Sequence, residues 1–345
     1  MKRKKIFTML TSVVLASSLV LVGCGSGDAT GEGGESSGKA RTIKVAHYFA
    51  EDHPQNIALK EKFKPLIEEG SEGALKVEIY PNSQLGAEEE LYNGVRNGTI
   101  EMGITGLAMQ SSVEKLLVPE MPFLFKDYEH VQKVLNGPIG DELAGDLVDV
   151  HGVKPLAWSA NGFRSISSNK PLASMDDFKG LRLRMPNIPN YIDLGHRLGA
   201  TVSPLAISEV FTGLEQKVID GQDNPIATVR SSGWYEVQSD VLESNHMFSP
   251  NIYIINNNLF NELSPELQQL IQDASIEAAN YEFELMEDSY ETDKAFLEEH
   301  GITFTTPDDA FRQAMADAAN PMYEDLYSKY DWAKDIIERI KAEAN

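Results

Sequence analysis

Apolar and polar residues follow two different periods along the chain from residue 41 onward. Short apolar or alternating runs are typical of strands, whereas apolar residues spaced three and four positions apart are typical of helices. In the first half, these patterns predict strands at 42–47, 75–80, 100–105 and 153–159, and helices at 53–69, 87–97, 128–135 and 139–150. Because strands and helices alternate, the sequence predicts an α/β fold.

The second half of the chain continues this alternation. Its patterns predict strands at 164–168, 181–184, 218–223, 238–244 and 251–256, and helices at 188–198, 208–216 and 265–299. The last helix has the clearest ends, since Ser264 is a good N-cap, Pro265 suits the first turn and Gly301 follows its end. At 1.5 Å per residue it reaches about 50 Å, which is longer than one small lobe. We therefore expect two α/β lobes with a ligand cleft between strand ends, braced by this long C-terminal helix.

The predicted order of strands divides the body into two lobes, each built from two stretches of chain. Lobe 1 comprises residues 41–161 and about 250–285, and lobe 2 comprises residues 162–249 and about 286–345. The chain crosses between the lobes near 158–162 and 249–251, and these segments are the predicted hinge for closure on a ligand.

The first 23 residues have the composition of a signal peptide. Four basic residues precede an apolar run at 6–22 that is too short and too rich in Ser and Thr for a comfortable membrane span. The run ends in Leu-Val-Gly-Cys24, which looks like a bacterial lipobox, so Cys24, the only cysteine, is the predicted lipidated residue. Residues 24–40 predict a flexible tether, rich in Gly, Ser and Glu. We therefore expect a protein outside the cytoplasmic membrane, at the cell surface or in the periplasm, held by a lipid; an uncleaved anchor is the alternative.

Acidic residues dominate the composition, with 53 Asp and Glu against 30 Lys and Arg and a formal net charge of −23. Four of the basic residues precede the predicted cleavage site, which leaves 26 in the mature chain and a net charge of −27. Nucleic acid is a poor partner for such a negative field, and an anionic ligand needs arginines placed close to it. With a single cysteine and no spaced Cys/His ligands, the sequence predicts no metal and no cofactor.

One predicted strand ends in an arginine that suits a carboxylate ligand. In Gly180-Leu-Arg-Leu-Arg-Met-Pro186, Arg184 is the last strand residue before the Met-Pro break, and strand ends face the cleft. Its planar guanidinium can bind a carboxylate through two parallel hydrogen bonds, which a lysine cannot. A structural salt bridge is the alternative, and Arg182 points to the same face by strand parity, so the pattern alone does not choose between them.

This segment and several others together resemble the substrate-binding subunit (DctP-type) of tripartite ATP-independent periplasmic (TRAP) transporters. The similarity runs in order from about Ile43 to the C-terminus and includes Tyr80-Pro-Asn-Ser-Gln-Leu-Gly86, Pro119-Glu-Met-Pro-Phe-Leu-Phe125, Asn161-Gly-Phe-Arg164, Ser208-Glu-Val210 and Val218-Ile-Asp-Gly-Gln-Asp-Asn-Pro225. It implies a periplasmic-binding-protein-like fold of two Rossmann-like lobes that close on a ligand. It also implies delivery of a small organic acid to integral membrane subunits driven by an ion gradient.

The resemblance also implies roles for three residues of the second lobe. The arginine that clamps the ligand carboxylate falls on Arg184, the second arginine near the ligand on Arg164, and the asparagine of the family's Gly-Gln-Glu-Asn-Pro motif on Asn224. This chain has Asp223 where the family usually has Glu, which shortens the side chain beside Asn224. We expect this change to alter the fine geometry of the site and not its role.

Four further residues are candidates for ligand contact. Glu88 matches a first-lobe position that contacts ligand hydroxyls in some relatives, although an acid at a helix start also complements the helix dipole. His47 and Tyr48 end the first strand and are expected to face the cleft. Trp158 is also expected at a strand end, where it either stacks on a sugar face or packs in the core.

The charges around the predicted cleft favour a sugar acid as the ligand. The first-lobe loops at 47–57, 82–91 and 103–114 contain almost exclusively uncharged and acidic residues, with no Lys or Arg. A C4-dicarboxylate would bring its second carboxylate close to acids such as Glu88, an expensive burial unless both arginines serve it. A uronate or aldonate instead places its one carboxylate on Arg184 and its hydroxyls on acids and amides. C4-dicarboxylate binding stays the alternative ligand class for the same role.

Two other classes of protein share some of these features. A secreted hydrolase is one, but the sequence has no Gly-x-Ser-x-Gly, no His-Glu-x-x-His and no Cys/His cluster, so we expect no catalytic residues and no enzyme activity. A ligand-sensing lipoprotein is the other, because it would have the same ligand site and a different partner. Genes for two membrane subunits beside this one would favour transport.

Overall fold

The computed structural model describes residues 40–344. The predicted signal peptide at 1–23, the lipidated Cys24 and nearly all of the tether at 24–40 lie outside these described residues. None of the helices between residues 40 and 344 combines the length and the apolar character that a bilayer crossing requires. Two β-sheets connected and flanked by helices organise this part of the chain, which confirms the predicted α/β class.

The first sheet contains β1 (Arg41–Ala46), β2 (Leu75–Tyr80), β3 (Met102–Thr105), β4 (Val153–Phe163) and β10 (Phe248–Asn256). Their order is β2-β1-β3-β10-β4, with β1 parallel to both neighbours and β10 antiparallel to both of its own. The helices of this part are α1 (Pro54–Ala58), α2 (Lys64–Gly70), α3 (Glu88–Asn97), α4 (Tyr128–Leu135), α5 (Pro138–Ala144) and α6 (Asp146–His151). The predicted helix at 53–69 is thus α1 and α2, joined by a π-helical turn at Leu59–Phe63.

The second sheet contains β5 (Ser165–Ser168), β6 (Arg182–Met185), β7 (Thr201–Pro204), β8 (Gly221–Asn224), β9 (Asp240–Leu242) and β11 (Thr303–Thr305). Their order is β11-β9-β5-β8-β6-β7. The helices that accompany them are α7 (Pro189–Arg197), α8 (Val210–Glu215) and α9 (Ile226–Ser231). The sequence did not predict β7, β11 or α9, because such short elements contain too few residues to display a period.

Two long strands carry the chain between the sheets. β4 and β10 pair antiparallel along their whole length, and their register shifts between Ser249 and Pro250. β4 leads into β5 of the second sheet, and the chain returns from β9 into β10. This crossing coincides with the predicted hinge segments at 158–162 and 249–251, and their movement on ligand binding stays a prediction.

Helix α11 (Pro265–Glu299) contacts elements of both sheets, as predicted. The Ser264 side chain accepts a hydrogen bond from the Leu267 amide and so caps the first turn. The helix packs on β4 and α1 and, further along, on α9. Near its C-terminal end, Lys294 Nζ lies 2.7 Å from Glu243 Oε1, directly after β9. The helix therefore braces the two lobes against each other.

The remaining helices are α10 (Asn257–Glu262), α12 (Asp309–Lys329) and α13 (Ala333–Ala342). α12 packs on α7, whereas α13 lies against α4, where His130 Nε2 is 2.7 Å from the Ile340 carbonyl oxygen. Arg339 of α13 also pairs with Glu142 of α5 at 2.9 Å. α13 therefore contacts helices that accompany the first sheet. The lobe boundaries stay predictions.

Candidate ligand-binding site

A cavity of about 710 Å³ opens where strands of both sheets end. Parallel strands of one sheet end at the same edge, so side chains that follow different strands meet there. The first-sheet wall includes Tyr48, Glu88, Gly106 and Glu120, and the second-sheet wall includes Arg184, Tyr191, Leu205 and Asn224. A cavity of this size suits a small organic ligand, and its position agrees with the predicted cleft.

Arg184 is a buried cation that faces this cavity. It lies in β6 with 4% of its surface exposed, and its Nε and Nη2 donate to the Leu205 carbonyl oxygen at 3.0 and 2.7 Å. Among residues 40–344, no carboxylate forms an ion pair with it. Burial lowers the pKa of Arg184 to about 10, and the positive charge of Arg164 acts in the same direction. A buried guanidinium without a counter-charge is costly, so the site favours an anionic ligand.

Arg182 and Arg184 share a strand face, but they have different partners. Arg182 begins β6 at the edge remote from the cavity, and its guanidinium forms an ion pair with the Asp220 carboxylate. It also donates to the Lys217 carbonyl oxygen at 2.7 Å. The structural salt bridge that the sequence left open for either arginine is therefore made by Arg182, and Arg184 stays available for a ligand.

Arg164 lines the cavity but is already paired. Its Nε donates to Asp223 Oδ1 at 2.8 Å, and its guanidinium lies 4.7 Å from the centre of the Tyr191 ring. His246 Nε2 lies 3.5 Å from the same Asp223 oxygen. Although burial raises the pKa of Asp223, the charge and hydrogen bond of Arg164 together with the neighbouring His246 outweigh burial and hold that pKa below its usual range. Asp223 therefore neutralises Arg164, and Arg184 is the cation left for the ligand among the buried residues of the described chain.

The second-sheet wall brings the three residues implied by the family resemblance together. Asn224 is the last residue of β8, which lies between β5 and β6 in the sheet. Arg184 lies in β6, and Arg164 immediately precedes β5, so all three side chains line the cavity. Its Nδ2 donates to Gln222 Oε1 at 2.8 Å, and this bond fixes the orientation of the amide. Asn161 also lines the cavity, although the sequence analysis predicted no separate role for this residue.

The first-sheet wall carries Tyr48 and Glu88. Tyr48 donates to Asn251 Oδ1 at 2.9 Å, across to β10. Glu88 begins α3, and its Oε1 accepts from Thr105 Oγ1 at 3.3 Å and from the Ala108 amide at 3.4 Å. Burial raises the pKa of the Glu88 carboxyl, which these hydrogen bonds oppose. Both residues line the cavity, so Glu88 can meet a ligand whether or not it also complements the helix dipole.

Gly106 is needed where β3 ends beside these two side chains. A Cβ atom at this position would lie 2.7 Å from Glu88 Oε1 and 3.4 Å from the Tyr48 hydroxyl. Glycine therefore leaves room for the Glu88 carboxyl where it lies, and a larger residue would have to displace the end of that side chain. The sequence contains no local signal for this close approach.

Two predicted ligand contacts, His47 and Trp158, do not line the cavity. His47 is fully buried on the other side of the strand end, with its Nε2 3.1 Å from Asn56 Oδ1, because adjacent residues of an extended chain point in opposite directions. Trp158 donates from Nε1 to the Gly140 carbonyl oxygen at 3.2 Å. The prediction that Trp158 lies at a strand end is wrong, because β4 continues to Phe163. Trp158 is therefore a core residue in the middle of the strand.

Arg96, Glu120 and Tyr191 are among the lining residues that the sequence reasoning did not single out. Arg96 projects from α3 at the exposed rim, so the first-sheet side does offer a basic residue, although the loops predicted to face the cleft contain none. Glu120 lies inside a motif that carries the family resemblance, and Tyr191 lies shortly after the Met-Pro break that follows Arg184. Both positions could therefore have been proposed as ligand contacts from the sequence. Among residues 40–344, no cluster of three His, Cys, Asp or Glu residues could hold a metal ion.

Comparison with known proteins identifies the family. The sequence profile of DctP, described as bacterial extracellular solute-binding protein, family 7, matches residues 45–330. The chain belongs to this family. A 2,3-diketo-L-gulonate-binding periplasmic protein, YiaO of Escherichia coli (strain K12), is 36% identical over 298 residues, which span 85% of this chain and 89% of that protein.

Solved structures of similar proteins have the same fold. A TRAP periplasmic solute-binding protein from Haemophilus influenzae with bound L-gulonate has a TM-score of 0.85 at 42% identity, over 88% of this chain and 99% of that chain. One from Roseobacter denitrificans OCh 114 with bound L-galactonate has a TM-score of 0.79 at 34% identity, over 84% and 100%. The protein is therefore a two-lobed TRAP solute-binding subunit. Proteins of this class bind small organic acids and work with membrane subunits.

Proposed function

We propose that this DctP-family protein captures a sugar acid with a single carboxylate, a uronate or an aldonate, and delivers it to the TRAP membrane subunits. The observation that carries the proposal is the buried Arg184, which faces the cavity without an ion-pair partner among residues 40–344. One ligand carboxylate would complete its hydrogen bonds and balance its charge.

The rest of the cavity wall supports a ligand with several hydroxyl groups. Tyr48, Glu88, Glu120, Asn161 and Asn224 present hydroxyl, carboxyl and amide groups, which accept or donate hydrogen bonds to a polyol. The similar proteins from Haemophilus influenzae and Roseobacter denitrificans were solved with L-gulonate and L-galactonate, which are acids of this kind. The polar groups of the cavity wall and the ligands of these two relatives therefore both favour a sugar acid.

C4-dicarboxylate binding is the weaker alternative. It would require both buried arginines to serve two carboxylates, but Arg164 is already bound to Asp223. Arg96 is exposed at the rim, where solvent weakens its attraction for an anion. A second carboxylate near Glu88 would therefore be buried without a cation of its own.

Capture by closure is the proposed mechanism. The ligand carboxylate binds first to Arg184. The ligand hydroxyls then bind Tyr48 and Glu88 on the opposite wall, so that some contacts form only in the closed state. The segments 158–162 and 249–251, where β4 and β10 cross between the sheets, would take up the rotation. The lobes would then be residues 41–161 with about 250–285, and residues 162–249 with about 286–345.

Anchoring through Cys24 forms a separate part of the proposal, and it is based on the sequence Leu-Val-Gly-Cys24. Lipidation there would hold the protein outside the cytoplasmic membrane, with residues 24–40 as the tether. Membrane fractionation of cells that express the full chain or its Cys24→Ser variant tests this. Equal amounts of both proteins in the membrane fraction would contradict lipidation.

A ligand screen tests the proposed function. Thermal unfolding of residues 41–345 is measured with uronates, aldonates, C4-dicarboxylates, 2-oxo acids and neutral sugars, because a ligand that binds only the folded state raises Tm. We expect large shifts for sugar acids alone. A large shift with succinate or malate and none with sugar acids would favour the dicarboxylate alternative, and no shift with any acid would contradict acid binding.

A further inference from the structure

Glu120 is a deeply placed candidate for selecting between ligands, because its carboxyl group is buried in the cavity wall and held on both sides. It lies before α4, lines the cavity and is 1% exposed. Its Oε2 lies 2.6 Å from Gln110 Nε2, and its Oε1 lies 2.6 Å from the Tyr191 hydroxyl. Gln110 belongs to the first-sheet side and Tyr191 to α7 on the second-sheet side. Both of its oxygens are therefore fixed in position by residues from opposite walls.

The surroundings of Glu120 favour its protonated form. Burial raises the pKa of its carboxyl to about 8, and the negative charge of Glu88 acts in the same direction. Arg164 and the Tyr191 hydroxyl oppose this rise, but the charge of Arg164 is shared with Asp223. At neutral pH the carboxyl therefore holds its proton.

The hydrogen bonds around Glu120 can accommodate this proton on the side of Tyr191. Tyr191 has one hydroxyl hydrogen, yet its oxygen lies within hydrogen-bond distance of Glu120 Oε1 and, at 3.1 Å, of Ser249 Oγ. When Glu120 is protonated, it donates to the Tyr191 oxygen, and Tyr191 donates to Ser249. Gln110 donates to the other carboxyl oxygen. The carboxyl then offers only acceptor lone pairs to the cavity.

We infer that Glu120 is a specificity-determining residue that accepts a hydrogen bond from a ligand hydroxyl and rejects a ligand with a carboxylate at that position. A hydroxyl supplies the hydrogen that these lone pairs need, whereas a carboxylate brings more lone pairs and a negative charge. The inference rests on the proposed function and narrows it to polyhydroxylated monoacids. Because Arg184 takes the carboxylate, the inference assigns to Glu120 a hydroxyl of the remaining part of the ligand, the terminal one in an open-chain aldonate.

The test compares two acids that differ only at that end. L-gulonate and D-glucarate have the same stereocentres, but the terminal CH2OH of gulonate is a second carboxylate in glucarate. L-galactonate and galactarate form a second such pair. Isothermal titration calorimetry gives the ratio of dissociation constants within each pair, for the wild type and for Glu120→Gln. Glu114→Gln is the control, because Glu114 is exposed on the same side of the molecule and does not line the cavity.

We expect the wild type and Glu114→Gln to prefer the monoacid by at least about 100-fold. In Glu120→Gln, the amide can turn an N–H toward the second carboxylate, so the preference is expected to fall at least about tenfold. Equal weakening of both acids, with the ratio unchanged, would mean a purely structural role and would overturn the inference. If the wild type bound none of the four acids, the proposed function itself would fail, and the inference with it.

Tyr191→Phe provides a second test that keeps the carboxyl group. Without the tyrosine oxygen, the Glu120 proton is free to bond a ligand carboxylate. Since the Tyr191 hydroxyl opposes the rise in the pKa of Glu120, its removal also favours the protonated carboxyl. At pH 7, the preference for gulonate over D-glucarate is therefore expected to fall at least about tenfold below that of the wild type. An unchanged preference in Tyr191→Phe would overturn the inference.

Discussion

At the scale of single residues, the function of this protein depends on which charges are already neutralised. Arg182, Arg184 and Arg164 are all arginines near strand ends, but two of them are bound to aspartates. Arg184 bonds only to a carbonyl oxygen of the chain. The same residue type therefore stabilises the fold at two positions and can bind an anion at the third.

Arg184→Lys tests this distinction. A lysine keeps the positive charge but cannot bind the Leu205 carbonyl oxygen and both oxygens of a carboxylate with fixed planar geometry. We expect sugar-acid binding to weaken by at least about 100-fold with little change in Tm, measured by calorimetry and thermal unfolding.

Arg182→Lys is the matched control, since it makes the same change on the same strand at an exposed ion pair. Surface pairs contribute little, so its affinity is expected to stay within about threefold of the wild type. Full affinity in Arg184→Lys, or an equal loss in Arg182→Lys, would contradict the assignment of the carboxylate to Arg184.

At the scale of elements, the crossing of β4 and β10 depends on a glycine. Gly162 has a φ of +116°, and a Cβ there would lie 2.8 Å from the Tyr128 hydroxyl and 2.9 Å from Met286 Cε. The strands therefore cross, and α11 packs beside them, only because this residue lacks a side chain. The hinge segments and the bracing helix meet at this point.

Gly162→Ala is expected to destabilise the protein by at least about 2 kcal/mol, since backbone strain adds to the collisions. Gly180→Ala is the control, because Gly180 has a φ of +75° and no atom within 4 Å of the added Cβ. It should cost only about 1 kcal/mol. The free energy of unfolding in urea gives both values, and equal losses would show that packing against α11 contributes nothing at Gly162.

At the scale of the whole molecule, buried ionisable groups make stability depend on pH. Burial lowers the pKa of His47 to about 4 and that of His53 to about 3. In the unfolded chain both take up a proton near pH 6.5, whereas in the folded protein they stay neutral until the pH falls much further. The contribution of these two histidines to folding stability is therefore expected to fall as the pH drops below 6.5.

His53→Asn tests this dependence. Asparagine can replace the hydrogen bond by which His53 accepts from the Gln55 amide at the start of α1, but it does not titrate. Between pH 6 and pH 4, the free energy of unfolding of the variant should fall less steeply than that of the wild type, by up to about 1.4 kcal/mol per pH unit. Parallel slopes in urea titrations would show that His53 is protonated in the folded state.

The sequence by itself determined what depends on neighbours along the chain. The alternation of strands and helices indicated the α/β class, and the cap at Ser264 with the break at Gly301 fixed a 35-residue helix at its observed ends. Motif order identified the family and pointed to Arg184, Arg164 and Asn224. These signals are local, because capping, periodicity and motif spacing depend on residues a few positions apart.

Only the tertiary structure decided what depends on distant partners. The choice between Arg182 and Arg184 follows from Asp220, which lies 38 residues from Arg182 in the chain. β4 extends to Phe163, which places Trp158 within the strand and in the core, and α13 contacts α4 through His130. Glu120 gained a role only because Tyr191, 71 residues away, lies beside it. Burial and charge pairing are properties of the folded chain, and no local pattern of residues specifies them.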